Sequence, residues 1–516
     1  MTPPVERSHV ERFRAVVSRR FGLHLDDTRL GTLADVLRRR VEATGRPSDA
    51  FLAQLESGRD RAELAAIAAE VTVPETYFFR NIDQFHAFTG VVLPDRLRAR
   101  AETKQLRILS AGCASGEEPY TLAILVREAA LDPSWSVSIR AIDLNPAVLA
   151  KAARGRFSPW ALRETPAGVQ SRWFTRAGSE LVLADEIKNA VTFEEQNLVE
   201  PSALPPGSYD VIFWRNVMMY FTPDCAQAVV ARVSRALAPG GYLFLGHAET
   251  LRGISNDFHL RHTHDTFYYQ RKPISDARPY PDQIVAPELT FPPLAAVFEG
   301  ADSWVDAIHK ASERIQALSE GSLSNPDAAS TSSSHAHSAP RDVGPAASAP
   351  PTWNAALALL ERERFAEALE LVGTLPAESA REPSFLLLRA VLLTHGGQLP
   401  LAEQACNDLL AVDELDAGAH YLLALCREGA GDRRAAADHD QVAAYLDPGF
   451  AMPRLHLGLL SRRANDRDAA RRDLGHALVL LEREDASRLL LFGGGFGREA
   501  LVALCRAELV ACGGKP

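Results

Sequence analysis

A short stretch, residues 106–121, constrains the fold of this chain more than any other feature. It opens with an apolar run, turns through small residues between Gly112 and Gly116, and continues from Glu117 with apolar residues at helical spacing. A buried strand, a glycine loop and a helix in this order begin a nucleotide-cofactor fold, because glycine lets the backbone approach a ligand closely. The stretch therefore predicts a Rossmann-like α/β domain.

The charge of the same loop indicates which cofactor it holds. The loop lacks the spacing Gly-x-Gly-x-x-Gly, and two acids, Glu117 and Glu118, directly follow its second glycine. Carboxylates at this point would repel a pyrophosphate, which disfavours a dinucleotide. A cationic cofactor suits them better, and S-adenosylmethionine carries both an ammonium and a sulfonium group. We therefore predict S-adenosylmethionine as the cofactor.

Length and composition indicate a multidomain protein. A chain of 516 residues is long for one domain and suggests two to four. The formal net charge of −10 argues against a nucleic-acid binder that depends on phosphate contacts. Six cysteines without paired spacing indicate a reducing compartment, and no apolar run is long enough to span a bilayer. The expected location is the cytoplasm.

Residues 1–85 are predicted to form an N-terminal all-α subdomain. Apolar residues recur at helical spacing in this part of the chain. A basic cluster of Arg38, Arg39 and Arg40 lies on the second predicted helix. It is either an ordinary solvated face or a substrate-binding surface for an acidic partner. We retain the three arginines as candidate substrate-binding residues.

The subdomain ends in an unusual segment, residues 71–80, with the sequence VTVPETYFFR. Two adjacent phenylalanines precede Arg80 in it. Neighbouring aromatic residues can anchor an arginine, and a planar guanidinium matches a carboxylate in a bidentate fashion. Arg80 is therefore a candidate carboxylate-binding residue.

The α/β domain itself is predicted over residues 86–272. Strands and helices alternate along it and the last strand is antiparallel, which indicates a sheet covered on both faces. A small β insertion is predicted near residues 173–195, between the second and third strands of the sheet.

Polar residues follow the predicted strands of this sheet. The second strand ends at Asp143, where an acid in nucleoside-binding folds accepts hydrogen bonds from the ribose hydroxyls. A later buried strand leads into Arg215, Asn216 and Tyr220. Because ligands bind at the carboxyl ends of such strands, we expect these side chains to lie at the cofactor site.

Residues 273–351 are predicted to be a linker that is largely disordered, with one amphipathic helix over 302–319. His335 and His337 lie in its serine tract, and such a pair is typical of a linker, so no metal site is predicted.

The last part of the chain, residues 352–516, repeats with a period of 34 residues. This is the tetratricopeptide period, which predicts an α-solenoid that ends in capping helices over residues 485–514. Small residues occupy two columns of the repeat, Ala356, Ala390, Ala424 and Gly458 in one and Ala368, Ala402, Ala436 and Ala470 in the other.

Five motifs together resemble the CheR-type chemoreceptor glutamate O-methyltransferases, and the repeats look like those of the branch with a C-terminal tetratricopeptide domain. One departure is Pro74, where the family usually has asparagine. The motifs are residues 75–80 (ETYFFR), 110–120 (SAGCASGEEPY), 141–143 (AID), 215–221 (RNVMMYF) and 246–249 (GHAE).

The resemblance implies methyl transfer from S-adenosylmethionine to glutamate side chains in the cytoplasmic domain of a chemoreceptor. It implies that Arg80 and Tyr220 are catalytic and face the reacting carboxylate. It also implies that the repeats bind a protein or peptide, either from another chain or from this one. Together with Gly112 of the glycine loop, the implied cofactor-binding residues are Thr76, Arg80, Glu118, Asp143, Asn197, Leu198, Asn216 and Val217.

The chemistry of this reaction agrees with the residues present. A glutamate side chain has a pKa of about 4.3 and is already a carboxylate nucleophile at neutral pH, so no general base is required. Two alternatives stay open. One is a methyltransferase for another substrate such as nucleic acid, although the chain lacks an Asn/Asp-Pro-Pro-Tyr/Phe loop for an extruded base. The other is a repeat-protein scaffold whose methyltransferase domain is catalytically weak.

Overall fold

The computed structural model describes residues 6–201, 204–273, 351–362, 364–376 and 379–513. The chain divides into two compact units, Met1–Ile284 and Val285–Pro516, which we describe separately. The predicted linker and its helix over 302–319 fall almost entirely outside the described residues. Within the described stretches, no helix is both long enough and apolar enough to cross a membrane.

The first unit begins with four helices that enclose a hydrophobic core of their own. Phe13, Leu37 and Leu52 lie at its centre and are fully buried. The first helix ends at Gly22, whose positive φ of 72° reverses the chain toward the rest of the unit. The helices are α1 Arg7–Phe21, α2 Leu30–Thr44, α3 Ser48–Ser57 and α4 Arg61–Val71.

A seven-stranded mixed sheet forms the centre of the remainder of this unit. Its strand order is β6-β2-β1-β7-β8-β10-β9, in which the first five strands pair in parallel and the last two are added by antiparallel pairing, so that only β10 runs against the others. The strands are β1 Gln105–Ala111, β2 Ser136–Asp143, β6 Val191–Glu195, β7 Tyr209–Trp214, β8 Leu237–Leu245, β9 Phe258–Thr263 and β10 Thr266–Arg271. The sheet confirms the predicted Rossmann-like domain with an antiparallel end.

The topology places a ligand site between β1 and β7. The chain leaves β1 for β2 on one side and later returns to β7 on the other side. In open α/β sheets, ligands bind at the carboxyl ends of the strands where the order reverses in this way. The helices of this region are α5 Ile82–Ala87, α6 Leu93–Ala99, α7 Glu117–Glu128, α8 Pro146–Arg154, α9 Ala167–Trp173, α10 Asp185–Lys188 and α11 Pro223–Ala236.

The core of the sheet begins earlier in the chain than residue 86. The predicted boundary at residue 85 falls inside α5, and Phe85 stacks on Phe213 of β7 with 5.8 Å between ring centroids. Phe78 and Phe88 belong to the same core. The unusual segment 71–80 lies at this transition, but its aromatic residues did not show in the sequence that they pack on the sheet and not on the helices before them.

The β insertion differs from its prediction. It is a three-stranded antiparallel sheet of β3 Arg156–Phe157, β4 Phe174–Ala177 and β5 Glu180–Leu183, in the order β3-β5-β4. The hairpin within 173–195 is therefore present, but Val191–Glu195 does not belong to it. That segment pairs in parallel with β2 and forms an edge of the large sheet. A short apolar alternation shows that a strand exists but not which strand it pairs with.

The second unit consists of paired helices in the predicted 34-residue register. Gly397, Gly431 and Asn465, which occupy the turn position of three successive pairs, all have left-handed backbones with φ of 71°, 85° and 63°. The alanines of both repeat columns are fully buried. The helices are α12 Pro351–Leu360, α13 Phe365–Gly373, α14 Pro383–His395, α15 Leu399–Val412, α16 Ala417–Gly429, α17 Arg433–Leu446, α18 Ala451–Arg463 and α19 Arg467–Leu481.

The chain after α19 does not simply cap the array. Residues 486–497, which we call the return segment, begin with the helix α20 Ala486–Phe492 and come back onto the first helices of earlier pairs. The ring of Phe492 lies 6.0 Å from Tyr421 and 5.0 Å from Phe450. Arg488 forms an ion pair of 2.9 Å with Asp447. The next helix, α21 Arg498–Ala511, packs on α19 in the manner expected of a cap.

A buried ion cluster lies inside the array. The Nδ1 atom of His456 is 2.6 Å from Asp440, and its Nε2 atom is 3.0 Å from Glu428. Burial alone would lower the pKa of His456, but the two carboxylates together raise it to about 9. His456 is therefore protonated at neutral pH, which links α16, α17 and α18 by charge.

Candidate functional site

One pocket, at the carboxyl ends of β1, β2 and β7, is lined by every residue predicted to bind the cofactor or to catalyse. The structure brings these residues together from five separate parts of the first unit. They are Thr76, Arg80, Gly112, Glu118, Asp143, Asn197, Leu198, Asn216, Val217 and Tyr220.

Asp143 is fixed at the end of β2 by backbone groups. Its Oδ2 accepts a hydrogen bond from the N–H of Ala114 at 2.8 Å, and its Oδ1 accepts one from the N–H of Asn145 at 2.9 Å. Burial raises the pKa of the Asp143 carboxyl, and these N–H groups act in the opposite direction by favouring its ionised form. Two backbone contacts leave part of the carboxylate available to a ligand.

Glu118 forms the second acidic wall through a buried ion pair. Its Oε1 accepts a hydrogen bond from Ser110 at 2.8 Å, and its Oε2 lies 3.1 Å from the guanidinium of Arg215. Burial raises the pKa of Glu118 and lowers that of Arg215, while the attraction between them opposes both shifts. Arg215 also donates to Asn81 Oδ1 at 2.9 Å and to the carbonyl of Arg80. It therefore links the start of α7 to the segment that carries Arg80.

Left-handed backbone is concentrated around the pocket. Phe79, Asn81, Ala114 and Asn216 have φ between 46° and 59° although none is a glycine. Each such residue costs on the order of 1–3 kcal/mol, and such residues persist where the surrounding structure fixes them. The backbone of this site therefore carries local strain, which the surrounding contacts have to offset.

The loop that follows β7 is held by Glu249. This carboxylate accepts hydrogen bonds from the backbone N–H groups of Asn216 at 2.8 Å, Gly246 at 2.6 Å and Met219 at 3.2 Å. Burial raises its pKa, and the three N–H groups oppose that shift. Glu249 thus positions the loop that carries Asn216 and Tyr220, and it does not line the pocket.

The helical subdomain closes one side of the pocket, which the sequence did not indicate. The N–H of His24 donates to the carbonyl of Tyr220 at 2.7 Å, and Asn197 Nδ2 donates to the carbonyl of Arg20 at 2.8 Å. Leu23 forms an isolated antiparallel bridge with Phe221. The only signal in this segment was Gly22, because a glycine after an apolar helix marks a sharp reversal.

Arg80 enters the pocket wall from the loop between α4 and α5. Its Nη1 donates to the carbonyl of Glu75 at 2.9 Å, and its guanidinium lies 5.6 Å from the ring centroid of Tyr77. Within the described stretches, its side chain makes no other hydrogen bond, so most of its donors are available to a carboxylate. Pro74 lines the same pocket, so the departure from the family pattern falls at the site itself.

The three arginines of α2 lie outside this pocket, and each pairs with an acid of the helical subdomain. Arg40 is largely buried and contacts Glu63 at 2.6 Å. Arg39 contacts Glu70 at 2.6 Å, and Arg38 pairs with Asp35. Only Arg38 and Arg39 are more than half exposed, at 54% and 55%. Their role in substrate binding stays a prediction, and Arg40 contributes least to it.

The pocket fits a cationic nucleoside cofactor. Two partly buried acids, Glu118 and Asp143, supply negative charge, and Leu198 and Val217 supply apolar walls. At Gly112, where φ is 76°, an added Cβ would collide with Val217. The backbone of the glycine loop therefore packs closely against the pocket wall, as a close approach to a ligand requires.

Comparison with known proteins points to the same half of the chain. Residues 74–267 match the family model described as CheR methyltransferase, SAM binding domain. The "Chemotaxis protein methyltransferase 2" of Vibrio cholerae is 33% identical over 269 residues, which cover 50% of this chain and 91% of that protein.

A second relative is similar along nearly the whole chain. The "Probable biofilm formation methyltransferase WspC" of Pseudomonas aeruginosa is 26% identical over 464 residues, which cover 90% of this chain and 96% of that protein. Solved structures are more distant: the tetratricopeptide protein TTC0263 of Thermus thermophilus is 19% identical and covers 31% of this chain and 88% of that one, with a TM-score of 0.25. The fold therefore rests on the sheet topology and the repeat register.

Proposed function

Because this chain belongs to the CheR methyltransferase family, we propose that it transfers methyl groups from S-adenosylmethionine to glutamate side chains of a chemoreceptor. The observation that carries this proposal is one pocket in which Arg80 and Tyr220 lie beside the acidic pair Glu118 and Asp143. The acids suit a cation, and the arginine suits a carboxylate. The named relatives, a chemotaxis methyltransferase and a biofilm-formation methyltransferase, support the same chemistry.

The acidic side of the pocket binds and orients the cofactor in this proposal. Bound S-adenosylmethionine would supply a methyl group attached to a positively charged sulfur. Asp143 would accept hydrogen bonds from the ribose hydroxyls, and Glu118 would contribute negative charge close to the cationic end. The ion pair with Arg215 holds Glu118 in place, so its carboxylate does not have to reorganise when the cation arrives.

The basic side of the pocket positions the acceptor. A glutamate side chain is already ionised at neutral pH, so the protein has to align its oxygen with the methyl group rather than remove a proton. Arg80 would bind this carboxylate, and Tyr220 would share the hydrogen bonding. Very tight pairing would lower the nucleophilicity of the oxygen, and division of the contact between two residues limits that effect.

The repeats would serve as a protein-binding module beside this catalytic part. Their register buries a continuous core within the second unit, and the sheet and the helical subdomain have separate cores in the first. We therefore assign residues 1–272 to catalysis and residues 352–516 to recognition or control of a partner.

Transfer of tritiated methyl groups to a purified chemoreceptor cytoplasmic fragment tests the proposal. We expect base-labile incorporation with the wild type and almost none with Arg80→Ala. Arg80→Lys should restore only part of it, because an ammonium cannot reproduce the planar bidentate contact. Arg176→Ala, which alters an exposed arginine on β4, is the matched control and should act like the wild type.

Two outcomes would contradict the proposal. Incorporation into DNA instead of the receptor fragment would assign a different substrate. Full activity of Arg80→Lys would show that position 80 supplies only diffuse charge.

A further inference from the structure

An exposed aromatic and cationic surface adjoins the pocket. We call it the Trp160 surface, and it consists of Trp160, Arg163, Tyr77 and Arg80. The guanidinium of Arg163 lies 4.5 Å from the centroid of Trp160 and 3.6 Å from that of Tyr77, and Arg80 lies 5.6 Å from Tyr77. Tyr77 and Arg80 line the pocket, so the surface extends without interruption from an exposed indole to the catalytic site.

The exposure of Trp160 is unusual for its residue type. Its side chain is 72% exposed, although the 3₁₀ turn that carries it, Pro159–Leu162, is anchored by the buried Ala161 and Leu162. The turn therefore does not need the indole for its own packing. Exposed apolar side chains that gather beside a functional site mark binding surfaces, and tryptophan, tyrosine and arginine are the residue types that dominate binding energy.

The surface is held rigidly. Arg163 donates to the carbonyl of Trp160 at 2.9 Å, and the N–H of Phe78 donates to the carbonyl of Ala161 at 2.9 Å. The ring of Phe78 packs edge-on against Phe157 at 4.8 Å. The turn and the segment that carries Arg80 therefore form one unit, and a partner would lose little conformational entropy by binding it.

We propose that the Trp160 surface binds the polypeptide segment that carries the acceptor glutamate. This inference rests on the proposed function. A glutamate side chain that reaches Arg80 leaves its own backbone at the mouth of the pocket, so the residues next to it must meet Trp160 and Arg163.

The chemistry of the surface defines what those neighbouring residues should be. Glu164 also faces Tyr77 and, together with burial, raises the pKa of that tyrosine, so the surface carries both signs of charge. The main contact is therefore apolar packing on the indole. It suits an acceptor segment with an aliphatic residue close in sequence to the methylated glutamate. The net charge of −10 favours a protein over a nucleic acid as the occupant.

Methylation kinetics of Trp160→Ala test this surface, with the chemoreceptor cytoplasmic fragment as the acceptor. We expect the KM for the acceptor to rise about 30-fold, the smallest loss that defines a hot-spot residue. Trp160→Phe should recover most of that loss. The melting temperature and the Kd for S-adenosylmethionine should stay at their wild-type values. Arg176→Ala, which alters an exposed arginine on β4 outside the Trp160 surface, is again the control.

Each other result has a distinct meaning. An unaltered KM for Trp160→Ala refutes the surface but leaves the proposed function intact, whereas a wild type that transfers no methyl group refutes the function itself. A larger Kd of Trp160→Ala for the cofactor would show that Trp160 acts through the pocket and not on the acceptor. Competition by a DNA oligonucleotide that disappears in Trp160→Ala would assign the surface to nucleic acid instead.

Discussion

Replacement of Asp143 tests the cofactor site most directly. A carboxylate offers about four acceptor positions, and two of those of Asp143 are used by the N–H groups of Ala114 and Asn145. A ribose hydroxyl that binds the remaining positions would make a charge-assisted hydrogen bond, which contributes about 1.5–3 kcal/mol. Asp143→Ala should therefore weaken S-adenosylmethionine binding roughly 10- to 150-fold.

Titration calorimetry measures this loss, and two further variants separate ligand binding from loop structure. Asp143→Asn keeps an oxygen for the N–H of Asn145 but presents its NH2 group to the N–H of Ala114. It also loses the negative charge, so it should bind S-adenosylmethionine weakly as well. Asp132→Ala is the matched control, because Asp132 is exposed and accepts a backbone bond from Ser134 at 2.9 Å in the same i to i+2 pattern. It should bind the cofactor like the wild type.

An unchanged affinity in Asp143→Ala would refute the placement of the ribose. An equal loss in Asp132→Ala would show that the effect comes from general destabilisation. Circular dichroism of the variants without cofactor shows whether the fold is retained in each case.

Three further predictions concern the organisation of the chain. A fragment of residues 1–272 should keep its circular dichroism signal and its cofactor affinity, since the cores of the first unit do not include the repeats; loss of either would refute the modular assignment. His456 has its pKa raised from 6.5 to about 9, so the stability that it contributes is complete below pH 6.5 and is lost as the pH rises toward 9. Urea denaturation should show that the unfolding free energy falls on the order of 3 kcal/mol over that pH range. An equal dependence of the unfolding free energy on pH in His456→Gln would contradict this assignment. Phe492→Ala should lower the unfolding free energy of the second unit by about 3 kcal/mol, and a loss below about 1 kcal/mol would mean that the return segment is only loosely attached.

The sequence indicated which residues meet at the pocket, but not the backbone contacts that close it. Gly112, Glu118 and Asp143 could be placed because the carboxyl ends of parallel strands must meet at one edge of a sheet. The contact between His24 and Tyr220 could not be placed, since it joins segments almost two hundred positions apart through backbone atoms. Backbone pairing of this kind depends little on residue type and leaves almost no trace in a sequence.

Strand pairing and charge pairing account for the other differences. The alternation in Val191–Glu195 was recognised, but its partner β2 was not, because alternation fixes the buried face of a strand and not its neighbour. Likewise, the sequence predicts a basic surface that includes Arg40, whereas the structure pairs Arg40 with Glu63. An arginine on a predicted helix shows its charge in the sequence but not the acid that neutralises it.

The return segment sets a threshold for any ligand of the repeats. Phe492 is only 5% exposed, and its contacts with Tyr421 and Phe450 cover a face at the first helices of two repeats. A ligand that binds at this face has to displace the segment. If release of the segment costs at least as much as the loss of the Phe492 ring, about 3 kcal/mol, fewer than about one molecule in a hundred has this face open at any moment. The apparent affinity for a competing ligand is weaker than its intrinsic affinity by the same factor. The array would then bind a partner that is present at high local concentration, and it would leave the same partner unbound at low concentration.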